Sequence, residues 1–257
     1  MMTVADVVKG LATRTHPANA AEWDPVGLQL GDEHASVVTV GVCHEVTEDV
    51  VDALEADPVD LLVTYHPLLF APTRRILAGR SAESRAFRLI QLGVSLLVTH
   101  TDFDAAPGGS SDALASLLNL RHVEPFGDSP DAVGPQIGRF GTFEGNLAVL
   151  DAMISDAFGS TGLRVNGDRH DPVPRVAVVP GSGASFIESA AELADALVTG
   201  DVPHHRAVRA LDLGLSVVDP GHVATERPGI SALLKVVEET TETEVVDLTG
   251  LDPSTWG

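Results

Sequence analysis

The feature that most constrains the fold of this 257-residue chain is an ordered set of three short apolar segments that occurs twice. In each set, a segment rich in β-branched residues comes first, a segment with the pattern D-x-L-V-T follows, and a segment opened by glycine, an apolar residue and serine closes the set. The segments are residues 37–41, 60–64 and 93–98 in the first half and residues 176–180, 195–199 and 214–218 in the second. The repeated order predicts two similar modules.

Helix-like segments separate these predicted strands, and this alternation is typical of α/β proteins with mainly parallel sheets. We place the modules at residues 1–126 and 127–257. The stretch Gly127–Gly138 is rich in glycine, proline and aspartate and is the best candidate for a linker. The last residues, roughly 40 in number, could pack back on the first module.

The charge of the chain argues against one broad class of function, unless a central channel of the assembly concentrates arginines such as Arg74, Arg75 and Arg80. The sequence contains 37 acidic and 16 basic residues, for a formal net charge of -21. Such a surface argues against nucleic-acid binding, because it offers no cationic excess to displace phosphate counterions. Scattered acids and a scarcity of lysine predict a protein kept soluble in concentrated salt, where repulsion between carboxylates is screened. The alternative is a site for a cationic partner.

The single cysteine and the short apolar runs exclude further classes of protein. Cys43 is the single cysteine, which excludes an intrachain disulfide framework and multi-cysteine metal sites. The longest apolar runs are far too short to span a bilayer. The N-terminus lacks the basic and apolar regions of a signal peptide. We therefore expect a soluble cytoplasmic protein that does not act at a membrane.

Polar residues with metal-binding chemistry follow the predicted strands. Tyr65 and His66 come directly after the strand at 61–64, and the strand at 95–99 leads into His100 and Asp104. In the second module, His222 and Glu226 follow the strand at 216–218. Open α/β sheets place ligands at such strand ends. Imidazole and carboxylate are ligands of Zn, Mn, Fe or Ni.

Each of these signals also has a structural interpretation. His66 precedes Pro67 and could simply end a strand before a turn, whereas Asp104 could be a loop or cap residue. The spacing of His222 and Glu226 places them on one face only if a helix begins there. Gly181–Ser185 could cradle a phosphate with backbone amides or could serve turn geometry alone.

Four strings, taken together, resemble one protein family. Residues 64–70 (TYHPLLF) are similar to its T-H-H-P-L-I-F, and residues 100–109 (HTDFDAAPGG) to its H-T-N-x-D-x-x-x-G-G. Residues 221–226 (GHVATE) resemble G-H-x-x-[ST]-E, and residues 22–29 (EWDPVGLQ) resemble W-D-N-x-G-L-Q. They identify a short-form member of the GTP cyclohydrolase 1 type 2 homologues, a family of dinuclear-metal proteins that assemble as toroidal hexamers.

The resemblance implies a ligand set. His66 and Asp104 would bind one metal ion, His222 would bind the second, and Glu226 would bridge the two. The family's paired histidines read Tyr65-His66 here, and a phenol is a poor ligand at neutral pH unless the ion lowers its pKa. Three outcomes stay open at this second site. Tyr65 binds as phenolate, a neighbour such as His100 or His44 substitutes for it, or the site is weak or empty.

The family assignment sets two functional hypotheses. The first is a hydrolase using one or two divalent ions in the cleft between the modules, acting on a nucleotide-like or phosphoester substrate, with His100 as the general acid or base. The second is a non-enzymatic homohexamer that stores metal or acts as a scaffold, since fold does not imply function. The partners implied are further copies of the chain and a nucleotide or phosphate ligand.

Overall fold

The computed structural model describes residues 2–127, 135–159 and 162–251. They divide into two compact units, the first formed by the described residues of 2–103 and 230–251 and the second by those of 104–229. The change of unit falls after Phe103, whereas the sequence analysis placed the module boundary at residues 126 and 127. Residues 128–134, most of the predicted linker, lie outside the described part of the chain.

The bounds of the elements follow in chain order. The strands are β1 Met2–Thr3, β2 Gly27–Leu30, β3 Ser36–Val37, β4 Thr39–Cys43, β5 Leu61–Thr64, β6 Ser95–Val98, β7 Arg121–Phe126, β8 Gly138–Thr142, β9 Arg164–Asn166, β10 Arg175–Ser182, β11 Ala196–Gly200, β12 Ser216–Asp219 and β13 Glu244–Asp247. The helices are α1 Val4–Thr15, α2 Glu48–Ala56, α3 Ala82–Leu92, α4 Thr101–Ala105, α5 Ser110–Leu117, α6 Leu147–Phe158, α7 Ile187–Leu193, α8 His204–Asp212 and α9 His222–Thr240.

The first unit is built on a five-stranded sheet in the order β13-β4-β5-β6-β2. Its first four strands are parallel, and β2 closes one edge in the antiparallel sense. Strands β4, β5 and β6 are almost fully buried, as expected for a parallel sheet covered on both faces. Helices α2 and α3 pack their apolar faces on this sheet through residues such as Leu54 and Leu89.

The second unit contains a six-stranded sheet in the order β7-β8-β10-β11-β12-β9. Strands β10, β11 and β12 form its parallel centre, whereas β7, β8 and β9 add antiparallel edges. Separate apolar clusters contain alternate residues of β10, with Val176 and Val178 in one and Ala177 and Val179 in the other. Both faces of the parallel centre are therefore covered, and the predicted α/β class is confirmed.

The sequence repeat corresponds to a repeated structural device. Asp60, before β5, accepts hydrogen bonds from the backbone amides of Val38 and Thr39 at 2.7 and 2.9 Å. Asp195, before β11, accepts one from the amide of Arg175 at 2.9 Å. The aspartate of D-x-L-V-T thus satisfies amides at the start of the neighbouring strand in each unit, which explains why it precedes the apolar run twice.

No helix in the described ranges is both long enough and apolar enough to cross a membrane.

Candidate metal centre

The first unit gathers aromatic and imidazole rings at the carboxyl ends of its parallel strands. His44 follows β4, Tyr65 and His66 follow β5, and His100 follows β6 by two residues. The ladder continues past the strand ends, because the amide of His66 donates to the carbonyl of His44 at 2.9 Å. The His44 and His66 ring centroids lie 4.6 Å apart, and His100 lies 5.4 Å from both Tyr65 and His66.

A buried carboxylate fixes the orientation of His100. Asp24, whose side chain is inaccessible to solvent, accepts a hydrogen bond from Nδ1 of His100 at 3.0 Å. It also accepts bonds from the amide and the hydroxyl of Thr101. Burial alone would raise the pKa of Asp24, but these bonds and the His100 charge outweigh burial and lower it. The ionised carboxylate therefore favours the tautomer of His100 that carries its proton on Nδ1.

The second unit presents an imidazole between two carboxylates. Helix α9 begins at His222, so the spacing of four residues brings Glu226 onto the same face, with Nε2 of His222 2.9 Å from the Glu226 carboxylate. Nδ1 lies 2.7 Å from Asp201, which follows β11. Burial would lower the pKa of His222, but the hydrogen bonds and charges of Glu226 and Asp201 raise it to about 9.

Glycine is required beside this pair. Gly181 has a φ of +65°, and a Cβ at this position would lie 2.6 Å from Oε1 of Glu226 and 3.3 Å from Nε2 of His222. The amide of Gly181 donates to the hydroxyl of Thr225, and the amide of Gly183 donates to that of Thr199. These two amides are thus satisfied by the protein, which favours turn geometry over a phosphate cradle for Gly181–Ser185.

Asp104 lies in α4 and is 4% exposed, so it is part of a helix rather than a loop. The end of that helix is tied down by Arg139, a buried guanidinium that donates to the carbonyls of Ala105 and Ala106 at 2.9 and 3.3 Å. Arg139 also pairs with Asp112 at 2.5 Å. A buried arginine with these partners holds the backbone next to Asp104 in one place.

The donor set fits a divalent ion. His44 and His66 of the first unit offer imidazole nitrogens. Glu226, described within the second unit, offers a carboxylate. Both are donor types that bind divalent metals. Tyr65 is fully buried among the rings of the first unit.

Sequence reasoning missed two carboxylates and left His44 as a substitute only. Asp24 lies within the string at 22–29, but its contact with His100 spans 76 residues and has no local signal. Asp201 follows β11 as His66 follows β5, and that equivalence in the repeat could have indicated it. His204 and His205, at the start of α8, are exposed.

Two α/β units whose parallel strands end in histidine and carboxylate side chains define a metal-binding α/β protein. The family model described as Duf34/NIF3 (NGG1p interacting factor 3) matches residues 2–252. A Streptomyces coelicolor protein named GTP cyclohydrolase 1 type 2 homolog is 33% identical over 238 residues, which cover 89% of this chain and 83% of the relative. This chain belongs to the DUF34/NIF3 family, and the resemblance drawn from the four strings is confirmed.

Solved structures of similar proteins have the same fold. The structure titled reduced HcgD from Methanocaldococcus jannaschii has a TM-score of 0.83 and 28% identity, and the match covers 96% of this chain and 98% of that one. A Bacillus cereus protein related to NIF3 has a TM-score of 0.87 at 21% identity, covers 100% of this chain and 99% of its own, and supports the fold alone. Family membership and the histidine and glutamate donors support a metal-binding function at the level of the family.

Proposed function

We propose that this protein is a divalent-metal-dependent hydrolase of a nucleotide-like or phosphoester substrate. Its metal ligands are His66, Asp104, His222 and Glu226, with Tyr65 beside them. The observation that carries the proposal is the placement of His222 between two carboxylates, with the backbone of Gly181 packed against it. Four-residue spacing at a helix start, a buried glutamate and the close approach of the Gly181 backbone favour a built ligand set over a surface ion pair.

The metal is expected to be Zn, Mn, Fe or Ni, in one or two ions per protomer, because the donors are imidazole and carboxylate. When bound, a divalent ion supplies a Lewis acid that polarises a phosphoryl or carbonyl oxygen. Residues of the chain supply the proton transfer. Ionised Asp24 keeps the proton of His100 on Nδ1, so that Nε2 can accept a proton from an attacking water and return it to a leaving group.

Tyr65 bears on how many ions are held. Its side chain is buried, and a phenol is a poor metal ligand at neutral pH unless the ion itself lowers its pKa. We therefore propose one firm site and a weakened second site. The same observation favours the second candidate, a non-enzymatic metal store or scaffold, since two-metal chemistry requires both ions.

A hydrolysis assay separates these two candidates. Metal-loaded protein is incubated with GTP and with a phosphoester, alongside the variants His100→Ala and His170→Ala. His170 is an exposed histidine and serves as the matched control. We expect His100→Ala to lower the rate about 100-fold or more with its metal content unchanged, and His170→Ala to have no effect. Absence of hydrolysis by the metal-loaded wild type would refute the enzyme and favour the store or scaffold.

The proposed assembly is a homohexamer, on the basis of the family resemblance. Light scattering coupled to size exclusion gives the mass directly, and a hexamer of the 26.9 kDa chain would weigh six times that value. A monomeric mass at all concentrations would contradict it.

A further inference from the structure

Two large aromatic side chains lie exposed next to the ring cluster of the first unit. Trp23 is 61% exposed and Phe70 is 58% exposed, and their ring centroids lie 5.8 Å apart. The Trp23 ring also lies 6.2 Å from that of His100. Exposing two large apolar rings to water is unfavourable, and folding of this unit does not bury them. Exposed apolar patches of this kind mark binding sites, so we interpret the pair as a surface that a ligand covers.

The backbone that presents these rings is held firmly. The side chain of Gln29 donates to the carbonyls of Pro25 and Leu69 at 3.1 and 3.0 Å. It also accepts a bond from the amide of Leu69 at 3.0 Å. Gln29 therefore joins the segment that follows Trp23 to the residue that precedes Phe70. Asp24, the neighbour of Trp23, is itself fixed by His100 and Thr101. The aromatic pair is thus preorganised, which lowers the entropy cost of binding a ring.

The loop that follows Phe70 is cationic in an otherwise acidic protein. Residues 71–81 are all exposed and include Arg74, Arg75 and Arg80. These three arginines make no ion pair with any residue in the described ranges, whereas most other arginines pair with carboxylates, as Arg88 and Arg206 do. A chain with a net charge of -21 has abundant partners for a stray arginine. Three guanidiniums on one loop, none paired with a carboxylate in the part of the chain that the structure describes, therefore point to an anionic ligand.

The start of the loop lies close enough to the rings to serve the same ligand. Arg74 follows Phe70 by four residues, and a chain extends at most about 3.6 Å per residue, so their Cα atoms lie within about 14 Å. A guanidinium on a flexible stem reaches further. A molecule that stacks on Trp23 and Phe70 can therefore present a charged tail to the loop.

We propose that Trp23 and Phe70 form a stacking platform for the heteroaromatic ring of a free nucleotide, and that Arg74, Arg75 and Arg80 bind its phosphates. This inference rests on the proposed function and deepens it, because it names the residues that would select a nucleotide. Stacking on an aromatic face gives affinity for the ring, and guanidinium forks suit phosphate oxygens. His100, next to Trp23, places the platform beside the residue that would move the proton.

Equilibrium binding to the full chain tests the proposal, with GTP, guanosine and tripolyphosphate as probes. In a Trp256→Phe background, Trp23 is the sole tryptophan, so its fluorescence reports stacking directly. We expect GTP to quench this fluorescence and Trp23→Ala to weaken GTP binding about tenfold with little effect on tripolyphosphate. The triple variant Arg74→Ala, Arg75→Ala, Arg80→Ala should weaken both phosphates and reduce the salt dependence of GTP binding, but spare guanosine.

Matched controls are available for both kinds of residue. Phe87→Ala removes another exposed aromatic ring of the same unit, and Arg121→Ala removes an exposed arginine that pairs with Glu144. Both should bind GTP as the wild type does. Equal GTP affinity in Trp23→Ala, or binding of tripolyphosphate as tight as GTP, would overturn the proposal.

Two further measurements keep the interpretation unambiguous. A change in oligomeric mass in Trp23→Ala would show that the rings form a contact between copies of the chain and would overturn the proposal. Metal content, measured on every variant, separates this inference from the proposed function. Loss of GTP binding with full metal content supports the platform, whereas full metal content with unchanged GTP binding refutes the platform alone.

Discussion

Replacing Gly181 with alanine tests whether the backbone of β10 was fitted to the His222–Glu226 pair. The added Cβ would lie 2.6 Å from Oε1 of Glu226, which must retreat by about 0.8 Å to reach an ordinary contact at 3.4 Å. Glu226 is 2% exposed and 2.9 Å from Nε2 of His222, so that movement breaks the pair. Disturbing the support of a ligand typically lowers metal affinity 10- to 100-fold, and we expect a loss of about that size.

The chain provides a control for backbone strain. Gly181 and Gly214 both have positive φ, +65° and +77°, but a Cβ at Gly214 meets nothing within 4 Å. Alanine at either position should lower the free energy of unfolding by about 1 kcal/mol through the left-handed backbone. That corresponds to a fall in Tm of about 2–4 °C.

Chelator competition for metal affinity, together with thermal unfolding, distinguishes the two effects. Only Gly181→Ala should bind metal more weakly, whereas the Tm should fall in both Gly181→Ala and Gly214→Ala. Equal metal affinity in Gly181→Ala and Gly214→Ala would refute the argument that Gly181 serves the pair.

Three further predictions concern folding. Asp24→Asn should lower the free energy of unfolding by about 2 kcal/mol at pH 7, because Asp24 accepts charge-assisted bonds while buried. Because the pKa of Asp24 is lowered in the folded protein, the stabilisation by its carboxylate is fully present above about pH 4. The difference in free energy of unfolding between wild type and Asp24→Asn, measured with urea, should vanish as the pH falls through the lowered pKa of Asp24. Arg139→Ala should lower the free energy of unfolding by about 3 kcal/mol in the same assay, because it removes the guanidinium that pairs with Asp112 and binds the carbonyls of Ala105 and Ala106. A loss below about 1 kcal/mol would contradict a structural role for Arg139. Finally, raising KCl from about 0.1 to 2 M should raise the Tm, because the salt shortens the Debye length from about 10 Å to below 3 Å and so screens the repulsion among the acidic residues of a chain with a net charge of -21. A falling Tm would show that attractive ion pairs, such as Arg88 with Asp52, contribute more to stability than this repulsion removes.

The fold was predictable wherever local patterns coincide with tertiary contacts. The repeated D-x-L-V-T segment predicted strands at 61–64 and 196–198, and the structure has β5 at Leu61–Thr64 and β11 at Ala196–Gly200. Buried parallel strands are continuous apolar runs, which makes them visible in one sequence. The antiparallel edges were not predicted. Strand β7, for example, reads RHVEPF with five of its six residues exposed, so no apolar pattern marks it.

The candidate site was predictable only in part. His66 and His222 stand directly beyond strand ends, where the general rule for α/β sheets looks for ligands. The support of those residues was not visible, because it depends on contacts between distant segments. Asp24 meets His100 across 76 residues, and Gly181 of strand β10 approaches Glu226 of helix α9. The sequence left open whether a helix begins at His222, and Pro228 lies inside the helix that does begin there.

The most direct test of the central claim is the metal content per protomer, measured by elemental mass spectrometry on protein purified without chelator or affinity nickel. Wild type, His66→Ala, Tyr65→His and the control His170→Ala are compared. We predict about one ion in the wild type and in His170→Ala, loss of that ion in His66→Ala, and a rise towards two in Tyr65→His. Absence of metal from the wild type, or metal that His66→Ala retains in full, would contradict the account.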